Sequence, residues 1–267
     1  MPPRRTPGVP ALPRRDRIAI LAALGGVSAL AWVYLVVMAV KMQGVEMDGM
    51  AMGGVMLEIR PWTALDFGLM FLMWAVMMVG MMVPTAMPMT LVYAAVARKA
   101  ERQGTPIGAT AAFASGYVVM WTLFSVAATL AQWALDQAAL LSSMLVTTSP
   151  AVGAALLVAA GVYQLTPYKD ACLEHCRSPA YFISENFRPG SRGAFRMGLL
   201  HGAFCLGCCW ALMGLLFFGG VMSLLWIAAI TAFVLAEKVL PYGARGGRFA
   251  GFGLIAAGLL SFAAQLR

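Results

Sequence analysis

Four of the seven cysteine and histidine residues in this 267-residue chain fall within nine consecutive positions: His201, Cys205, Cys208 and Cys209, in the run MGLLHGAFCLGCCWALMG. At 100° per residue they occupy an arc of about 100° on a helix, so three sulfurs and one imidazole share a face. Thiolate and imidazole together suit Cu(I) or Zn(II), although buried cysteine and histidine also serve as plain packing groups. The other three, Cys172, His175 and Cys176, stand in TPYKDACLEHCRSP, at spacings that a short helix turns to one side. Lys169 and Arg177 beside them favour thiolates. A reducing cytosol would keep such thiols free for metal exchange rather than locked in a disulfide.

Methionine is the second anomaly, because 14 of its 20 copies lie between residues 38 and 89. Five of them, Met47, Met50 and Met52 among them, stand in the segment 41–63 beside Gly, Asp and Glu, where a loop has no core to bury them in. Thioethers are soft, uncharged ligands, so a Met-rich loop on the outer side can capture Cu(I) where thiols would oxidise. Downstream, Asp66, Met70, Met73, Met77 and Met81 fall within an arc of about 80° on a helix. A carboxylate above a ladder of thioethers can pass a soft cation inward by ligand exchange, and the same spacing equally describes a core face.

The elements that hold these donors must be membrane helices. The chain is 61% apolar and 11% charged, against about 45–50% and 25% in soluble domains, which excludes a soluble globular fold. A hydrocarbon core about 30 Å thick needs roughly 20 apolar helical residues. Seven stretches meet that need: 18–40, 64–83, 107–135, 149–166, 194–218, 222–240 and 249–266. The second runs on past Pro84 to residue 97, which predicts a kinked or interfacial continuation. The expected fold is all-α, a polytopic bundle of about seven spans behind a basic tail, 1–17, with the Met-rich loop 41–63 outside and the Cys/His loop 167–193 inside.

Charge placement sets the orientation. With the N-terminus inside, 16 of the 19 basic residues fall in inside segments, and only Lys41, Arg60 and Arg267 fall outside. That asymmetry predicts N-in, C-out polarity. The net charge of +8 does not point to nucleic acid, because the basic residues sit in short loops without a recognition motif or aromatic platform.

The sixth stretch ends FVLAEKVLPYG, which brings Glu237 and Lys238 to the inside end that also holds His201. Glu237 is expected either to orient His201 as a hydrogen-bond acceptor or to pair with an inside Arg. Lys238 is expected to snorkel as a topology anchor.

The blocks MMVPTAMPM, TPYKDACLEHCRSP, HGAFCLGCCWALM and FVLAEK together resemble a bacterial family of predicted metal-binding integral membrane proteins, over roughly residues 65–242. The resemblance implies a polytopic inner-membrane protein with metal bound through Cys172, Cys176, His201, Cys205, Cys208 and Cys209. It does not name the metal or the reaction.

The reading that follows is a membrane bundle that binds and transfers a soft metal, Cu(I) before Zn(II). Its partners would be the lipid bilayer, the ion itself and a metallochaperone or membrane metalloenzyme. Ions would be collected at Met47, Met50 and Met52, conducted along Asp66 to Met81, held by His201, Cys205 and Cys208, and delivered to Cys172, His175 and Cys176. Transfer toward stronger ligands needs no ATP site, and the chain has no phosphate loop. Two other readings use the same residues: a membrane thiol/quinone oxidoreductase cycling a disulfide among Cys205, Cys208 and Cys209, and a structural subunit without metal.

Overall fold

A computed structural model describes residues 12–51, 62–102, 110–142 and 145–265. Among these the fold is all-α, with one isolated bridge between Leu141 and Thr147. In chain order the helices are α1 (Arg14–Ala51), α2 (Ala64–Arg102), α3 (Thr110–Gln137), α4 (Pro150–Gln164) and α5 (Pro167–Arg177), then α6 (Pro179–Asn186), α7 (Gly190–Gly214), α8 (Leu216–Gly219), α9 (Leu224–Val239) and α10 (Gly243–Gln265).

Their starts follow from local chemistry. Ser149 and Thr166 cap α4 and α5 with their hydroxyls, each followed by a proline at the first helical position, where no backbone donor is needed. Thr63 and Asp66 close α2 reciprocally: the Thr63 N–H and hydroxyl both donate to the Asp66 carboxylate at 2.7 Å, and the Asp66 N–H donates back to the hydroxyl at 3.3 Å.

One expectation changes here. Residues 41–51, expected as the start of an outer loop, continue α1, because the Lys, Met, Gln and Glu in that stretch favour helix and no proline interrupts it. Met47 and Met50 therefore lie on helical backbone, whereas Met52 and the rest of the loop through residue 61 lie outside the described residues, as do residues 1–11 of the basic tail. The expected continuation past Pro84 is present: α2 runs as one helix through Pro84 and Pro88 to Arg102. Pro84 has no N–H for the Gly80 carbonyl four residues earlier. That carbonyl is taken instead by α1, through the Ser28 hydroxyl at 3.0 Å and the Trp32 indole at 3.2 Å.

Five described helices are long and apolar enough to cross a membrane, within α1, α2, α3, the α7–α8 pair and α10. A sixth candidate is the pair α4 and α5, bent by 63° at Leu165 and Thr166. With 15 and 16 residues, α4 and α9 each measure about 22–24 Å, short of the hydrocarbon thickness. Against the seven spans expected, length and composition together support five or six among the described residues.

Large apolar side chains such as Leu30, Leu225 and Phe249 face outward, while Gln132, Lys169, His201, Glu237 and Lys238 are buried. Helices α3 and α7 meet so closely that a Cβ on Gly198 would strike the Phe113 carbonyl, and one on Gly116 the Phe195 carbonyl. Backbone cannot yield as a flexible side chain can, so Gly198→Ala is expected to lower thermal stability in detergent by roughly 1–3 kcal/mol. An unchanged melting midpoint would show that the two helices do not need this approach.

Candidate functional site

Four helices converge on Cys205. It is fully buried on α7, and its Sγ stands 3.0 Å from the Tyr117 hydroxyl of α3 and 2.8 Å from the Lys238 ammonium of α9. Lys238 also donates to the Thr85 hydroxyl of α2 at 3.1 Å. Both Tyr117 and Thr85 donate in turn to the Met82 carbonyl, at 3.0 and 2.9 Å. This polar knot binds α2, α3, α7 and α9 around one sulfur, and it supplies a cation beside it. A buried ammonium needs a partner, and the thiolate form of Cys205 provides one.

The other thiols gather at the same place. Cys208 and Cys209 donate to the Cys205 carbonyl, each at 3.0 Å. Cys176 reaches the Cys205 and Cys208 thiols from α5, and Cys172 packs against Gly207. Helix α5 can lie this close because Gly207 has no side chain: a Cβ there would come within 2.6 Å of the Cys172 sulfur. The Tyr163 hydroxyl fastens the arrangement by donating to the Gly207 carbonyl at 2.5 Å. All five cysteines are free thiols.

The two histidines stand apart from this cluster. His201 is one helical turn away, enclosed by Phe113 and Tyr117, whose rings stack at 5.9 and 5.5 Å, and by the edge of Phe182 at 5.5 Å. Its Nδ1 is buried without a hydrogen-bond partner. His175 stacks on Phe204 at 4.1 Å, with Nδ1 2.8 Å from the Ala171 carbonyl, so it does not turn with Cys172 and Cys176.

Glu237 takes neither role expected of it. Its carboxylate pairs with Lys169 of α5, deep in the protein, and not with His201 or an arginine. Arg177 instead donates to backbone, reaching the Glu237 carbonyl at 2.7 Å and those of Leu240 and Pro241 at 2.7 and 2.9 Å. Lys238 does not snorkel outward. Adjacent residues on a helix point about 100° apart, so α9 turns Glu237 toward α5 and Lys238 toward α2 and α7. On α10, Gly247 makes room for the Lys169–Glu237 pair, since a Cβ there would overlap the carboxylate.

The methionine stripe faces inward. Met73, Met77 and Met81 are fully buried, and they belong to the same apolar cluster as Cys205, Cys208 and Cys209. Met70, nearer the start of α2, accepts a hydrogen bond from the Gln132 amide at 3.3 Å, and Gln132 is held by the Trp74 indole at 2.7 Å. Asp66 serves the helix start through Thr63.

Among the described residues, no group of three or more His, Cys, Asp or Glu side chains is arranged as a ready-made metal site. The cause lies in where the thiols point. Cys208 and Cys209 are turned onto backbone, and Cys205 is engaged by Lys238. The donor set nonetheless fits a soft monovalent cation, because several thiols and a ladder of thioethers meet in one water-poor core.

Sequence reasoning missed Tyr117, Thr85 and Gln132 as parts of this site. Lys169 and Arg177, expected to favour thiolates at Cys172 and Cys176, are taken up instead by Glu237 and by backbone carbonyls. No curated protein and no solved structure matches the chain. A family model does match, over residues 71–261, a stretch that includes every cysteine and histidine together with Tyr117, Lys169, Glu237 and Lys238. The chain belongs to the PpoB2 copper chaperone family.

Proposed function

We propose that the protein is a multi-pass membrane carrier of Cu(I), which it receives as cargo, holds at Cys205 with Cys208 and Cys176, and hands to an acceptor protein. The observation that carries this reading is the meeting of thiols from α5 and α7 at a sulfur whose neighbour is a buried ammonium. Rotation of the Cys208 side chain off the Cys205 carbonyl would let two thiolates face each other across one ion.

Charge favours Cu(I) over Zn(II). With Cys205 and Cys208 as thiolates and Cys176 as a neutral thiol, the ligands and Cu(I) sum to −1, which the Lys238 ammonium neutralises. Two thiolates and Zn(II) sum to zero and would leave that ammonium uncompensated in a low-dielectric interior. Family membership supports copper as the cargo.

Met47, Met50 and Met52 collect the ion, and Met70, Met73, Met77 and Met81 conduct it over about 16 Å of helix toward thiols that bind it more tightly. Cys172 and Cys176, on the short helix α5, release it on the inner side. The basic-residue asymmetry supports N-in polarity in an inner membrane.

The full chain, purified anaerobically in detergent, should take up one or more Cu(I) per molecule with sulfur scattering at the copper X-ray absorption edge. Lys238→Met should weaken that uptake by roughly 10–100-fold, the range seen when a group supporting metal ligands is removed. Affinity unchanged in that variant would remove the counter-ion from the reading. A wild-type chain that binds no copper but reduces a quinone through a Cys205-dependent disulfide would replace the carrier with a thiol oxidoreductase.

A further inference from the structure

Cys209 and Cys205 are two rungs of a longer series on α7. Steps of four residues lead on through His201 to Met197, so one face of the helix carries two thiols, an imidazole and a thioether, at about 6 Å per step. All four side chains are buried. The last two take no part in the thiol cluster. Met197 lies with Met89, Phe113 and Phe182 in a second apolar cluster, separate from the one that holds the cysteines.

The His201 ring is 2% exposed and its Nδ1 has no hydrogen-bond partner. A buried polar atom left unpaired costs about 1–3 kcal/mol, so this nitrogen is a donor kept in reserve inside the bundle. Among the described residues the Met197 sulfur accepts one hydrogen bond, from the Arg188 N–H at 3.4 Å, which leaves its second lone pair for another partner.

We propose that His201 and Met197 form a second Cu(I) position, one turn beyond the thiols toward the Gly190 end of α7. This inference rests on copper being the cargo of Cys205. Both donors are neutral, so the ion keeps its positive charge, and the rings of Phe113 and Tyr117 hold the imidazole in place by stacking on it. Transfer is a ligand exchange without electron movement: the Cu–S bonds to Cys205 and Cys208 break as the Cu–N bond to His201 and the Cu–S bond to Met197 form. The two thiolates left behind share the Lys238 ammonium, and their remaining negative charge balances the ion one turn away. Imidazole and thioether hold Cu(I) less tightly than thiolates do, so this position releases what the thiols retain.

The test is a Cu(I) titration of the full chain, purified anaerobically in detergent and followed by X-ray absorption. The first equivalent should show sulfur alone, and the second should add a nitrogen shell. His201→Leu should bind one fewer ion and lose the nitrogen shell while keeping the sulfur. Met197→Leu should weaken the second equivalent about tenfold, on the scale of an altered metal site, and His175→Leu should change neither shell. Sulfur alone at every loading of the wild type, or a nitrogen shell that vanishes in His175→Leu, overturns the second position and leaves the thiol site standing. No copper uptake at any loading overturns both. The wild-type titration decides the matter even if the His201 variant does not fold.

Discussion

A chain carrying Cys205→Ser and Cys208→Ser together should lose Cu(I) affinity by at least about 100-fold, beyond the range for changing a supporting group alone. Cys205 is the sulfur at which α2, α3, α5, α7 and α9 are tied together, and Cys208 donates to its carbonyl from one turn on. With both gone, Cys172, Cys176 and Cys209 remain, without the thiol beside Lys238. The fold should survive. A serine hydroxyl at position 208 can still donate to the carbonyl one turn back, as the thiol does at 3.0 Å, and the volume removed is small. Circular dichroism should stay close to wild type while copper stoichiometry falls, and the detergent melting midpoint should drop, because a serine at position 205 leaves the Lys238 ammonium without its thiolate partner. Retained copper with an intact fold would move the holding site elsewhere in the chain.

Lys169→Met should destabilise the bundle by about 3–5 kcal/mol, because it leaves the Glu237 carboxylate buried without its partner. Both side chains are almost wholly buried, at 2% and 3% exposure, so water cannot screen the loss. The pair joins α5 to α9, and Gly247 of α10 packs against it. The same substitution should thus loosen the helix that carries Cys172 and Cys176. Adding Glu237→Gln should recover much of the lost stability by removing the uncompensated charge. A double variant no more stable than the single one would show that the pair acts through packing alone. Melting midpoints of the three variants in one detergent read this directly.

The two charged neighbours on α9 mark the limit of sequence reading. A carboxylate and a lysine near the inner end of an apolar helix are visible as anomalies in FVLAEKVL, and their functional weight can be argued from burial cost alone. Their partners cannot. Snorkelling suits Lys238 from its position, and His201 suits Glu237 from its depth. The fold reverses the emphasis, giving Lys238 to Cys205 and Glu237 to Lys169.

The sharing of one face by Cys205, Cys208 and Cys209, the inward stripe of Met73, Met77 and Met81, and the all-α class were all present in the order of residues. They depend on the 3.6-residue period of a single helix and on the apolar length of each stretch, both of which are local quantities. Tertiary structure decided which helix faces meet. It brought Cys176 to Cys205, enclosed His201 in aromatic rings one turn away, and set Tyr117 and Thr85 beside the central sulfur. These choices are set by small-residue contacts such as Gly198 against Phe113 and Gly207 against Cys172. The rotation of each helix about its axis follows from side-chain volumes on several chain segments at once, which no periodicity within one segment can encode.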